Sequence, residues 1–409
     1  MTCNPHGLRP ETRLVHGGVR RTHHGETAEA LFLTSGYVYD DAEQAEATIT
    51  GDVDHYQYSR YANPTISMLE ERLCLIEGAE ACRTTATGMA AVNAAMLSHL
   101  RQGDRVVASR ALFGSCHWLV STLLPRFGIT GEFVDAGDLD QWRAALSRPA
   151  QLVLLETPSN PMLEIVDLPA VCDMAHKAGA IVVVDNVFAT PLLQQPLRLG
   201  ADVVVYSCTK HMDGQGRVMG GAVLSNRKWI EDTLQIFVRN TGPSMSAFTA
   251  WVLLKGLETL PLRVEAASRA AAEIADFLAA HRSVSRVWYP TRTDHPQHEL
   301  AMAQMTAGGT VVTFEVARGS HANLKDSAFA VMNGFGLIAL SNNLGDSKSL
   351  ATHPATTTHM RIGAEERARL GITDGVIRLS IGLEHLDDLK DDLQRAVERV
   401  DGQQKRAAE

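Results

Sequence analysis

The sequence predicts an α/β fold: a mainly parallel sheet with helices on both faces, followed by a smaller α+β C-terminal domain. Three observations predict it. Short continuous apolar runs at Arg105–Ala108, Leu152–Leu155, Ile181–Val184 and Val203–Val205 each follow a helical or turn segment. Runs of this kind, β-branched and without polar alternation, mark strands buried on both faces. The chain has 409 residues, too many for one typical domain, and beyond about residue 257 its strands become fewer and lie between helices.

Residues 1–65 read as an irregular arm, with Gly17-Gly18 and Asn63-Pro64 as turn signals and only short apolar pieces. An arm without a core of its own must pack on something else, such as a neighbouring subunit. Residues 66–256 carry the parallel-sheet pattern. Ile66–Glu77 has helical spacing, and Thr87–Leu100 is an alanine-rich helical run that opens with Thr-Gly. After the four strands come helical stretches at Ala247–Leu260 and Arg263–His281. Residues 257–409 then form the C-terminal domain, with strands at Thr310–Val316 and Val376–Ile381 and helices at Ala322–Asn333 and Leu386–Val400.

Composition excludes several classes of function. The net charge is −9 and no basic block occurs, which argues against nucleic-acid or anionic-membrane partners. Residues 1–18 hold no apolar run of a signal peptide, and no stretch of about 18 apolar residues could span a bilayer. The six cysteines (Cys3, Cys74, Cys82, Cys116, Cys172 and Cys208) form no Cys-x-x-Cys pair, as expected of reduced thiols in the cytoplasm. His295 and His298 have metal-ligand spacing but lack accompanying carboxylates, so they are read as loop residues and no metal is expected.

The chemistry concentrates at strand ends, where parallel sheets bind their ligands. The run Val203–Tyr206 ends in Ser207-Cys208-Thr209-Lys210. The Lys210 amine can condense with an aldehyde, while Ser207 and Thr209 can donate to a phosphate. Pyridoxal 5′-phosphate (PLP) carries both groups on one ring. Asp185 emerges from the apolar strand Ile181–Val184 one strand-helix-strand unit earlier. A buried carboxylate there needs a cation, such as a protonated pyridine nitrogen, or else caps the next helix. Gly88 and Met89 open the alanine-rich helix, and their N–H groups can bind the phosphate or serve only as a routine cap. Phe113 can stack on the ring or belong to the core, Asn160 can bind its phenolic oxygen, and Arg60 offers the phosphate a second charge. Arg378 lies inside the apolar strand Val376–Leu379 and needs an anion, either a substrate α-carboxylate or an internal acid.

These residues resemble the Cys/Met-metabolism family of PLP enzymes, which includes cystathionine γ-synthase, cystathionine and methionine γ-lyases and the homoserine-ester sulfhydrylases. The matching runs are Tyr58-Ser59-Arg60, Thr87-Gly88-Met89, Glu156-Thr157-Pro158-Ser159-Asn160-Pro161, Val184-Asp185-Asn186, Ser207-Cys208-Thr209-Lys210 and Arg378-Leu379-Ser380. The resemblance covers residues 12 to about 400. It implies PLP fold type I, like aspartate aminotransferase, and a homotetramer built as a dimer of dimers. It also implies that Tyr58 and Arg60 reach the phosphate held by a neighbouring subunit, and that Glu156 and Asn343 join Arg378 near the substrate.

Departures narrow the resemblance. Most relatives carry a tyrosine where this chain has Phe113, so proton traffic falls to Lys210, with Tyr58 as a helper. Ser115 replaces the cysteine of methionine γ-lyases, and Asn343 replaces a serine near the substrate carboxylate. Phe113-Gly114-Ser115 and the runs Asp213-Gly214-Gln215-Gly216-Arg217, His295-Pro296-Gln297-His298-Glu299 and His353-Pro354-Ala355-Thr356-Thr357 together resemble bacterial O-succinylhomoserine sulfhydrylases. The implied reaction replaces the succinyl group of O-succinyl-L-homoserine with sulfide. The alternatives are an acetyl ester, cysteine as donor, a γ-lyase reaction, or PLP binding without catalysis. Arg217 is a candidate for the distal succinyl carboxylate on charge alone, its alternative being a surface ion pair.

Overall fold

Seven strands form the larger sheet: β1 (Ala81–Thr85), β2 (Arg105–Ser109), β3 (Thr130–Val134), β4 (Leu152–Glu156), β5 (Ile181–Asp185), β6 (Val203–Ser207) and β7 (Gly221–Ser225). They appear in a computed structural model that describes residues 7–401. Cys3, with the rest of 1–6 and 402–409, lies outside the described residues. The strand order is β1-β7-β6-β5-β4-β2-β3. Neighbours from β3 through β6 pair in parallel, while β7 runs against both β6 and β1.

The apolar runs are continuous because successive residues enter different cores. Val107, Val153, Leu155, Val182 and Val184 pack on one face with Val171 and Ala175 of the helix Leu168–Lys177. Ala108, Leu152, Leu154, Val183 and Val203 pack on the other with Ala91, Val92 and Ala95 of the helix Gly88–His99. Each valine or leucine among them, fully buried, contributes about 1.5–3 kcal/mol by leaving water.

The second sheet comprises β8 (Val284–Trp288), β9 (Val311–Val316), β10 (Ala339–Leu340), β11 (Leu350–Thr352) and β12 (Val376–Ser380), in the order β10-β11-β12-β9-β8. Apart from the short β10–β11 pair it is antiparallel. The helix Leu260–Ala279 joins the two halves. Leu260 and Val264 belong to the core beneath the larger sheet, whereas Ala271, Ile274 and Leu278 pack with Phe314 and Leu379 of the smaller one. This helix begins three residues earlier than the sequence pattern suggests, since Pro261 is tolerated in a first turn, where its missing N–H has no helical partner.

The arm is less irregular than its sequence reads. It contains the helices Pro10–His16 and Ala42–Thr50, the second opened by Asp41, whose carboxylate accepts the Gln44 N–H at 2.7 Å. Leu14 is fully buried with Leu69, Leu73 and Leu257, so the first part of the arm shares the chain's own core. The middle of the arm does not: Leu33 is 74% and Val38 89% exposed. At its end Asn63 donates to Phe32 O at 2.9 Å and Ser59 Oγ at 3.0 Å, and it caps the helix Pro64–Glu77 by accepting the Thr65 N–H.

Candidate active site

Three adjacent strand ends of the larger sheet set out the chemistry. Glu156 pairs in register with Asp185, and Asp185 with Val205, so β4, β5 and β6 deliver their last residues to one edge. The chain turns beyond Ser207 and places Lys210 beside them. Glu156, Asp185, Ser207, Thr209 and Lys210 all line one cavity of about 220 Å³. Gly88, Met89, Phe113, Asn160 and Arg378 line it too, so most of the residues singled out in the sequence converge.

The electrostatics of this cavity are those of groups held away from water. Burial pushes the Asp185 carboxyl up to about 6, opposed by the Val187 N–H that donates to it at 3.1 Å. Burial and the Asp185 charge hold Glu156 well above the usual carboxylate range, although the N–H groups of Phe113 and Asn160 donate to it at 2.7 and 3.0 Å. Lys210 is drawn down to about 8, first by burial and then by the charge of Arg378. Its Nζ donates to Asn343 Oδ1 at 2.6 Å, which ties the two halves of the chain together.

Arg378 comes from the middle of β12. Burial pulls it down to about 10, so it stays protonated at neutral pH. Nη1 donates to Asn160 Oδ1 at 3.0 Å, and Nη2 to the carbonyls of Asn342 and Asn343 at 3.0 and 3.1 Å. Nε is buried without a partner among the described residues. A guanidinium fixed on one side and unpartnered at Nε, on the wall of a cavity, suits an external anion.

The anion cradle lies opposite. Thr87 caps the helix Gly88–His99 by accepting the Ala90 N–H at 3.0 Å, which leaves the N–H groups of Gly88 and Met89 at the open end of the helix. A Cβ on Gly88 would meet Ser207 Cβ at 2.6 Å and Oγ at 2.8 Å, so only glycine lets this helix end approach β6 so closely. Thr209 Oγ1 accepts the Gly220 N–H at 3.0 Å. An amine, a buried acid and a set of N–H and hydroxyl donors around one cavity fit the aldehyde, ring nitrogen and phosphate of PLP.

Behind β5 a polar network holds the acid's strand end. Asn186 Nδ2 donates to Tyr206 Oη at 2.7 Å, and Tyr206 donates to Glu77 Oε2 at 2.5 Å. Burial pushes Glu77 up to about 8, so it is a neutral acid at pH 7.

Three sequence candidates lie elsewhere. Tyr58 and Arg60 line a separate surface depression with Leu33 and Ser244, and Tyr58 is 43% exposed. Arg217 does not line the cavity: its Nε donates to the buried Asp213 at 2.9 Å, the ion-pair alternative to a substrate contact. Charge alone could not separate the two. Sequence reasoning missed Asn342 and Thr358, both on the cavity wall. Their only signal is a polar loop, Ser341-Asn342-Asn343, and a threonine run, Thr356-Thr357-Thr358.

The family description "Cys/Met metabolism PLP-dependent enzyme" matches residues 11–398. The chain belongs to this family. It is 56% identical over 393 residues to an O-succinylhomoserine sulfhydrylase of Mycobacterium tuberculosis, covering 96% of this chain and 97% of the relative. It is 45% identical to a protein of the same description from Pseudomonas aeruginosa, covering 95% and 94%. The crystal structure of cystathionine gamma synthase from Xanthomonas oryzae pv. oryzae superposes with a TM-score of 0.91 at 34% identity, over 97% of this chain and 99% of that one. The fold is therefore PLP fold type I, and the family's cofactor is the one the cavity fits.

Proposed function

We propose that this chain converts O-succinyl-L-homoserine and sulfide to L-homocysteine and succinate, a step of methionine biosynthesis. The observation that carries this reading is the 56% identity, over almost the whole chain, to an O-succinylhomoserine sulfhydrylase. PLP, when bound, supplies an electron sink that stabilises carbanion character beside the amino acid's carboxylate. The residues of the chain do the rest. Arg378 receives the α-carboxylate and fixes the orientation of the substrate, so that proximity lowers the barrier. Asp185 holds the positive charge of the ring nitrogen. Gly88, Met89, Ser207 and Thr209 would hold the phosphate, Asn160 the phenolic oxygen, and Phe113 would pack on the ring.

Lys210 would hold the aldehyde carbon of bound PLP, and its amine is placed to move protons at the substrate's α- and β-carbons. An amine near 8 suits both directions of transfer at neutral pH. Glu156 acts through the backbone of Phe113 and Asn160, which it positions. Asn343 orients the Lys210 amine. Tyr58 and Arg60 reach across to a second copy's phosphate in a homotetramer of two dimers, a reading supported by the exposed apolar side chains around them. No helix among the described residues is long and apolar enough to cross a membrane, and we assign the enzyme to the cytoplasm.

The test is a donor competition. O-succinylhomoserine is supplied with sulfide, with cysteine or with neither, and the products are identified. Homocysteine from sulfide, at higher kcat/KM than cystathionine from cysteine, is the expected result. Cystathionine as the preferred product would favour the synthase reaction, and 2-oxobutanoate in all three arms would make the chain a γ-lyase.

A further inference from the structure

A second cavity, of about 950 Å³, opens from the first and shares Phe113, Lys210, Asn342 and Thr358 with it. This space is open to the leaving group of a substrate whose amino acid end sits at Lys210. Its remaining wall includes Ser115, His117 and Arg361, and among the described residues no aspartate or glutamate lines it. Lys210 and Arg361 are therefore its charged groups, both cationic, with the His117 ring held below the usual histidine range by burial.

Arg361 differs from several other arginines of the chain. Arg110 is paired with Asp135 and Glu366, Arg369 with Glu365, and Arg217 with Asp213. The exposed Arg361 side chain makes no ion pair or hydrogen bond among the described residues. It sits in the one-turn 3-10 helix Met360–Ile362, directly after the fully buried His359, whose N–H donates to Pro354 O at 2.9 Å. Its backbone is thus anchored at the rim while its head is free. A succinyl ester ends in a carboxylate; an acetyl ester ends in a methyl group and offers no anion.

We propose that Arg361 binds the distal carboxylate of the leaving succinyl group and is the residue that separates succinyl from acetyl homoserine esters. This rests on the reading of the substrate as a homoserine ester, and it assigns to Arg361 the role that charge alone suggested for Arg217. A charge-assisted hydrogen bond at a partly open rim corresponds to a discrimination of about 10- to 100-fold.

The test uses PLP-loaded enzyme as wild type, Arg361→Gln and Arg361→Lys. Each ester is titrated without a sulfur donor, following the cofactor's visible absorbance by stopped flow, and kcat/KM is measured separately with sulfide. Arg361→Gln should weaken binding of O-succinylhomoserine by about 10- to 100-fold and O-acetylhomoserine by no more than about twofold, with the loss in KM. Arg361→Lys should keep most of the preference, and the starting absorbance should match in all three proteins. Equal weakening of both esters, a preference that survives in Arg361→Gln, or a wild type without a succinyl preference would each overturn the assignment. A wild type that discriminates the esters but makes no homocysteine from sulfide would sink the sulfide reading and leave Arg361 in place.

Discussion

The two sheets contribute to the cavity in opposite ways. The larger one is parallel where it matters, and it gives its strand ends: Glu156, Asp185, Ser207 and, just beyond, Lys210. The smaller one is antiparallel, and it gives a side chain from mid-strand, Arg378, with the loop at Asn342 and Asn343 alongside. A parallel sheet collects its carboxyl ends on one edge, so groups for a multi-pronged cofactor can come from neighbouring strands. An antiparallel sheet scatters its ends and offers its face instead. On the proposed reading this is a division of labour: the first sheet would address the cofactor, the second the amino acid that reacts with it.

The largest expected effect tests the first half of that division. Lys210→Ala should lower turnover by about a thousandfold or more, because the proposed mechanism asks one group both to anchor the cofactor and to carry protons. Persistent visible absorbance of a lysine-bound cofactor in this variant would break the assignment. Next comes Arg378→Gln. Loss of a charged, preorganised donor should cost about a hundredfold in kcat/KM, carried mainly by KM, with the cofactor's absorbance unchanged. If the variant instead emerged without cofactor, the two sheets would not divide the work as described. Gly88→Ala should do the reverse, since the added Cβ collides with Ser207: cofactor affinity should fall by about tenfold or more in equilibrium dialysis, while KM for substrate in the loaded enzyme moves little.

Two smaller effects sharpen the comparison through pH. With Lys210 drawn down to about 8, the uncharged amine gains population as pH rises through that value, well before an ordinary lysine. The rate at which apoprotein captures PLP should therefore climb between pH 7 and 9 and level off above. Arg378→Gln should shift this profile to higher pH, because the arginine's charge contributes to lowering the amine. Glu77 is the mildest probe. Its folded value of about 8 lies above the 4.5 of a free glutamate, so its stabilising contribution is full below about 4.5 and is lost as pH rises to 8. A Glu77→Gln chain cannot lose that proton. Its melting temperature relative to wild type should rise by roughly 2–4 °C between pH 5 and pH 8.5 in calorimetry.

The same contrast explains what could be read in the sequence. The four central strands were legible because both of their faces are buried, leaving unbroken apolar runs, and Glu156 and Asp185 follow two of those runs directly. β1 (Ala-Cys-Arg-Thr-Thr) and β7 (Gly-Ala-Val-Leu-Ser) carry polar or small residues and hide, although Thr84 and Thr85 are buried. β10 and β11 have two and three residues, too few for any period to register. Within the site, Asp185 and Lys210 have local signals, and Arg378 is conspicuous as a charge inside an apolar strand. Asn342 and Thr358 lie in polar stretches that do not single them out, and Arg361 has no local signal; folding brings all three to the two cavities from more than 130 residues beyond Lys210. Arg217 shows the converse: a suggestive charge in sequence that folding satisfies with Asp213.

The helix Pro64–Glu77 touches both worlds. At one end Asn63 grips the arm that carries Tyr58; at the other Glu77 grips Tyr206 and, through it, the residue next to Asp185. Its 14 residues make it a gauge block about 20 Å long between the arm and the acid. A rod of this kind fixes angle as well as distance. One residue inserted in its middle would swing the arm by about 100° around the helix axis while leaving the core end seated. The arm's aim is therefore machined into the length of a single helix.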